Sequence, residues 1–192
     1  MAKKAVADFV IQNIVASAAL DLELDLYTIA NKVKGVEYEP EQFPGAILKL
    51  KDPKASLLLF KNGKIICTGS KSEAEVKFAI ERALKLLTPY AKGKKRTAAP
   101  AFNIENIVAS AALGVELDLY TIANKVTDVE YEPEQFPGAI LKLKDPKASL
   151  LLFKNGKIIC AGSKSKADVG RAIELATKML AAYSSKPKTP AA

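Results

Sequence analysis

The stretch YEPEQFPGAILKLKDPKASLLLFKNGKIIC runs from Tyr38 to Cys67 and occurs again from Tyr131 to Cys160. Upstream of each copy stands NIVASAAL, beginning at Asn13 and at Asn106. All of these pairs are 93 residues apart. Between 13–72 and 106–165 only five of 60 positions differ: Asp21/Gly114, Leu22/Val115, Lys34/Thr127, Gly35/Asp128 and Thr68/Ala161. Beyond Ser72 and Ser165 the copies diverge, yet their helical pattern persists. A solenoid needs about three or more repeats, so two copies point to a single pseudo-twofold domain sharing one sheet. The reading divides the chain into a first repeat with an N-terminal strand (1–91), a basic linker (92–101), a second repeat (102–184) and a disordered tail (185–192).

Within one copy the elements follow from patterning. Asn13–Leu20 is rich in small and β-branched residues and is a strand candidate. Asp25 precedes Leu26, Ile29, Ala30 and Val33, the spacing of a short amphipathic helix capped by an acid. Val36–Glu39 is a short strand stopped by Pro40, and Phe43-Pro44-Gly45 is a turn. Ala46–Lys51 alternates apolar residues with lysine, as a half-exposed strand does. Asp52-Pro53 turns the chain into Ser56–Phe60. Asn62-Gly63 is a strong hairpin signal leading into Lys64–Gly69. Ser72-Glu73-Ala74-Glu75 reads as a capping box for a long helix with Val76, Ile80, Ala83, Leu84 and Leu87 on its apolar stripe. Ser165 and Asp168 form the counterpart cap. Each copy thus reads as five strands and two helices in α+β order.

Leu57/Leu59 and Leu58/Phe60 lie on opposite sides of one strand, and all are apolar. Helices on one side can cover only one of those faces. The other face, with Val15, Ile66, Leu58 and Phe60, is either a binding surface or a surface buried against a second sheet or a second copy of the chain.

Composition narrows the chemistry. The chain has 192 residues, 29 Lys+Arg against 21 Asp+Glu, a formal charge of +8 and no histidine. A basic balance suits a polyanionic partner. Without histidine the usual general base and the commonest metal ligand are missing, which argues against an enzyme and implies no metal or cofactor. The only arginines are Arg82, Arg96 and Arg171, few for bidentate reading of guanine in the major groove. Cys67 and Cys160 occupy one position in the two copies, so they read as reduced, buried small hydrophobes of a cytosolic chain. The N-terminal apolar stretch is too short and mixed for a signal peptide, and no run is long enough to span a membrane.

QNIVAS, LDLYTIA, VEYEPEQFPG, KDPKASLLLF and GKIICTGSKS, each followed by a long helix, resemble the archaeal-type core of the TATA-box-binding protein family. The resemblance covers Gln12–Leu87 and Glu105–Leu180. It implies an α+β saddle with a curved ten-stranded antiparallel sheet and four helices on the convex side. It implies a non-enzymatic transcription initiation factor that binds an A·T-rich element of double-stranded DNA in the minor groove, bends it and recruits other factors. By position, Phe43 and Phe60 match one pair of intercalating wedges, and Phe136 and Phe153 the other. Asn13 and Asn106 match central base-contacting asparagines, within an apolar surround of Val15, Leu58, Ile66, Val108, Leu151 and Ile159. Thr68 matches a base-contacting threonine whose counterpart here is Ala161, the one mismatch expected on the DNA face. Lys49, Lys64, Lys142 and Lys157 match phosphate contacts. Glu132 and Glu134 match the acidic loop presented to the B-type initiation factor, through which RNA polymerase is reached indirectly, and Glu39 and Glu41 duplicate them. Without DNA, a homodimer through the bare face is an alternative. The resemblance implies no membrane partner, and a nucleoid location in an archaeon or a nuclear one in a eukaryote. Two other readings stand beside it. One is a nucleic-acid module serving a nuclease or glycosylase. The other, suggested by the near-identity of the copies, is a symmetrised or designed scaffold with weak DNA binding.

Overall fold

A computed structural model describes residues 8–93 and 100–185. In chain order the elements are β1 (Phe9–Ala19), β2 (Leu22–Leu24), α1 (Leu26–Lys32), β3 (Val36–Glu37), β4 (Ala46–Lys51), β5 (Lys54–Leu59), β6 (Lys64–Ser70), α2 (Glu73–Leu87) and β7 (Ala91–Gly93). The second copy repeats them as β8 (Phe102–Ala112), β9 (Glu116–Leu117), α3 (Leu119–Lys125), β10 (Val129–Glu130), β11 (Ala139–Lys144), β12 (Lys147–Leu152), β13 (Lys157–Ser163), α4 (Lys166–Leu180) and β14 (Ser184–Ser185). The fold is α+β. Each copy contributes five antiparallel strands, in the order β1-β6-β5-β4-β3 and β8-β13-β12-β11-β10.

Strand alternation decides which side of each array is core. In β1, Ile14, Ala16 and Ala18 are buried while Asn13, Val15 and Ser17 are half-exposed. In β5, Ala55, Leu57 and Leu59 are buried while Ser56 and Leu58 are half-exposed. The buried set packs with Val76, Ile80, Ala83, Leu84 and Leu87 of α2, the stripe read from the sequence. Fully burying a leucine or isoleucine contributes about 1.5–3 kcal/mol, so this interface dominates the stability of each copy. The opposite side, the open face, carries no helix among the described residues.

The helix caps follow the sequence reading. The Asp25 carboxylate accepts from the Thr28 backbone N–H at 3.1 Å and from its hydroxyl at 2.7 Å, and Asp118 does the same for Thr121 at 3.1 and 2.6 Å. Ser72 Oγ accepts from the Glu75 N–H at 3.2 Å, and Glu75 reaches back one residue further than a capping box requires, to the Lys71 N–H at 2.8 Å. Ser165 both accepts from the Asp168 N–H and donates to its carboxylate.

The structure refines the sequence reading at three points. First, the hairpin signalled at Asn62-Gly63 forms between β5 and β6. The Phe60 N–H donates to the Lys64 carbonyl, the Gly63 N–H donates to the Phe60 carbonyl, and only Gly63 has positive φ, at 77°. That is a three-residue turn with a glycine bulge. The loop is also clamped from outside, with Leu20 N–H donating to the Gly63 carbonyl at 2.9 Å and Leu24 N–H to the Lys61 carbonyl at 2.8 Å. Second, β7 pairs with β2 and β14 with β9 in short two-stranded sheets. Lys92 and Gly93, read as linker, and Ser185, read as tail, therefore lie in strands. Residues 94–99 of the linker and 186–192 of the tail lie outside the described residues. Third, the described residues form two compact units, one of 13–93 with 100–105 and one of 8–12 with 106–185. Near the start of β1, Gln12 Nε2 donates to Ser110 Oγ at 2.8 Å.

Candidate nucleic-acid interface

The register assembles the open face of each copy. Ile47 pairs with Leu58, Leu58 with Ile66, and Ile66 with Ser17. One row along, Lys49 pairs with Ser56 and Ser56 with Thr68. The second copy runs Ile140–Leu151–Ile159–Ser110 and Lys142–Ser149–Ala161. Val15 and Val108 stand in phase with Ser17 and Ser110 on their strands, and all four are half-exposed. The sequence reading found Val15, Leu58 and Ile66 but missed Ile47/Ile140, Ser17/Ser110 and Ser56/Ser149. Ile47 shares the strand phase of Lys49 and was legible; the serines needed the cross-strand register.

Asn13 and Asn106 are held rigidly. The Gly69 N–H donates to Asn13 Oδ1 at 2.7 Å, and the Gly162 N–H donates to Asn106 Oδ1 at the same distance. Their oxygens are thus occupied by backbone, which fixes the amide plane and leaves the NH₂ group for other acceptors. In the first copy that group donates to Thr68 Oγ1 at 3.1 Å. Ala161 supplies no such acceptor to Asn106.

Phe43 and Phe60 meet edge-to-face at 6.0 Å between centroids and 64° between planes, and Phe136 and Phe153 repeat both values. Phe43 and Phe136 are each 41% exposed, a large apolar area left in solvent. The following glycines make room for them: a Cβ on Gly45 would lie 2.6 Å from the Phe43 ring, and one on Gly138 2.7 Å from the Phe136 ring. The Phe-Pro-Gly order therefore positions the first ring of each pair.

The lysines divide into two kinds. Lys64 and Lys157 are exposed beside the Asn-Gly turns and form no ion pair among the described residues. Lys49 is bound by Glu37, its Nζ lying 2.7 and 2.8 Å from the two carboxylate oxygens, and Lys142 lies 2.6 Å from Glu130. Neither glutamate was singled out in the sequence. Glu132 and Glu134 are exposed in the turn before Phe136, where the Glu132 carbonyl accepts from the Gln135 and Phe136 N–H groups. Glu39 and Glu41 are exposed in a loop built alike, with the Glu39 carbonyl accepting from the Gln42 and Phe43 N–H groups. Thr68/Ala161 is not the sole mismatch reaching the open face: Ser17 Oγ donates to Glu105 at 2.6 Å, and Glu105 is the counterpart of Gln12.

Cys67 and Cys160 are buried and free, and burial pushes both thiols above their ordinary pKa. Among the described residues no group of three or more Cys, Asp or Glu could hold a metal, and no helix is long and apolar enough to cross a membrane.

Such a repeated α+β unit, with one helix-covered face and one apolar open face per copy, defines a class of two-repeat sheet proteins. The family described as "Transcription factor TFIID (or TATA-binding protein, TBP)" matches residues 8–90 and 101–183. The TATA-box-binding protein of Methanothermobacter thermautotrophicus is 44% identical over 180 residues, 91% of this chain and 95% of that protein. That of Pyrobaculum calidifontis is 43% identical over 164 residues, 85% of this chain and 81% of its own length. The structure of Methanococcus jannaschii TBP superposes with a TM-score of 0.82 at 39% identity, covering 91% of this chain and 99% of that one. The chain belongs to the TATA-binding protein family.

Proposed function

We propose that this protein is a non-enzymatic general transcription initiation factor that binds the TATA element through its open face. The observation that carries this reading is the pair Asn13 and Asn106, whose oxygens are tied to backbone N–H groups amid apolar side chains. Minor-groove A·T pairs present only acceptors, whereas G·C adds the guanine amino donor. An outward amide NH₂ serves the former. The apolar surround of Val15, Leu58, Ile66, Val108, Leu151 and Ile159 leaves the guanine donor unsatisfied, at the cost of a buried unpaired polar group.

The phenylalanine pairs are the wedges. A wedge replaces base stacking at a cost of a few kcal/mol per step, so it must be apolar, flat and held in place. Phe43 and Phe136 meet those terms through their partners Phe60 and Phe153 and the glycines beneath them. Lys64 and Lys157 contact phosphate directly; Lys49 and Lys142 do so after leaving their glutamates. Glu132 and Glu134 receive the B-type initiation factor, and RNA polymerase follows through it. The repeats 1–91 and 102–184 act as the two halves of the binding surface, in the nucleoid of an archaeal cell. Without DNA, the open faces of two copies associate.

The test is duplex binding to a TATA element and to a G·C-substituted control over a salt series. A strong preference for TATA and a steep negative salt slope are expected. Equal binding to both duplexes at every salt concentration would sink the proposal. It would favour the second reading, a symmetrised scaffold, for which the five differences in 60 positions speak.

A further inference from the structure

The open face carries its own anions. Glu37 sits opposite Ile47 in the β3–β4 register, and Glu130 opposite Ile140 in β10–β11, so each carboxylate shares a face with the apolar row and the serines. Each reaches diagonally to the lysine two residues along the neighbouring strand: Glu37 grips Lys49 with both oxygens, and Glu130 grips Lys142. The arrangement is reproduced in both copies on a protein whose net charge is +8 and whose Lys64 and Lys157 need no such partner. We infer that Glu37 and Glu130 are intramolecular competitors of DNA phosphate, holding Lys49 and Lys142 and lowering both the affinity for DNA and its dependence on salt.

The inference rests on the DNA-binding reading of the open face. The side chains of both pairs are more than half exposed, at 57% and 60% in one and 56% and 62% in the other. Exposed ion pairs of this kind are weak, so a lysine can exchange its carboxylate for a phosphate. The exchange leaves a carboxylate beside a polyanion. That carboxylate takes back a cation from solution, which cancels part of the counterion release that drives binding. Family resemblance assigns the lysines to phosphate; the geometry adds the groups that oppose them.

The experiment compares wild type with Glu37→Gln/Glu130→Gln in the full chain, using a TATA duplex and its G·C-substituted control across a salt series. Glu81→Gln/Glu174→Gln, on the long helices, makes the same change in net charge away from the open face. The paired variant is expected to bind TATA several-fold more tightly at low salt. Its log–log salt slope should steepen, by up to about 0.9 for each of the two carboxylates that no longer takes back a cation. The helix variant should keep the wild-type slope. A DNA-free readout accompanies this: acylation of Lys49 and Lys142, followed by mass spectrometry, should accelerate in the paired variant. If wild type prefers TATA but the paired variant matches its slope and affinity, or the helix variant gains as much, the competition is refuted and the DNA-binding reading stands. Unchanged acylation also refutes it. If wild type does not distinguish TATA from the control, the DNA-binding reading fails and the competition falls with it.

Discussion

Two of the five positions at which the copies differ exchange glycine for aspartate, and both have left-handed backbone. Asp21 has φ 55° where its counterpart Gly114 has 67°, and Asp128 has φ 62° where Gly35 has 88°. Aspartate is among the few side chains that adopt this conformation at modest cost. The exchanges are thus the ones the backbone permits, and Gly114→Asp, with open space around its Cβ position, should change stability by no more than about 0.5 kcal/mol. Gly63 has no such freedom. Its φ is 77°, and an added Cβ would lie 2.1 Å from the Leu22 carbonyl oxygen, so Gly63→Ala should cost more than about 1 kcal/mol in denaturant unfolding. If Phe43 and Phe136 act as the proposed wedges, Phe43→Ala with Phe136→Ala should reduce DNA bending, read by energy transfer between duplex ends, far more than Lys49→Ala does. Bending equal to wild type would remove the wedge role.

At the scale of the element, the caps set the pH response. The backbone N–H of Thr28 and then its hydroxyl hold the Asp25 carboxyl below its ordinary pKa, and the hydroxyl and then the N–H of Thr121 do the same for Asp118. A carboxylate whose folded pKa is depressed contributes stability above its unfolded value, near 3.8, and loses it as pH falls through the lower folded value. The first turns of α1 and α3 should therefore loosen only in acid, below about pH 4, with the Thr28 and Thr121 amide resonances reporting it. In Asp25→Asn the Thr28 resonance should lose that acid transition. Ser72→Ala removes the acceptor for the Glu75 N–H and should cost about 1 kcal/mol. These caps were legible because a cap is a local signal: an acid or serine three residues ahead of its donor. The hairpin at Asn62-Gly63 is legible in the same local way, whereas its clamp from Leu20 and Leu24 is not, because those residues lie far away in the chain.

For the molecule as a whole, near-identity of the copies governs how it meets an asymmetric duplex. Both copies present the same apolar row, the same phenylalanine pair at 6.0 Å and the same backbone-tethered asparagine. Among the described residues, Thr68/Ala161 and the paired contacts Ser17–Glu105 and Gln12–Ser110 distinguish them on the open face. The protein should occupy a TATA element in both orientations at similar frequency, which directed cleavage from a single tethered site would read as two mirrored footprints. One dominant footprint would mean that those few side chains suffice to set polarity.

The sequence by itself determined the duplication, the α+β order, the helix caps, the buried cysteines and the two-faced strand at Leu57–Phe60. Each rests on periodicity or on a signal confined to a few neighbouring residues. Only the tertiary structure decided what those residues meet: Asn13 tied to Gly69, Ser17 in line with Ile66, Lys49 gripped by Glu37, and β7 recruited from a segment that reads as linker. The physical reason is that alternation along a strand assigns a face but carries no register. Register comes from pairing between segments distant in sequence, and it sets which donors, acceptors and charges lie within reach of one another.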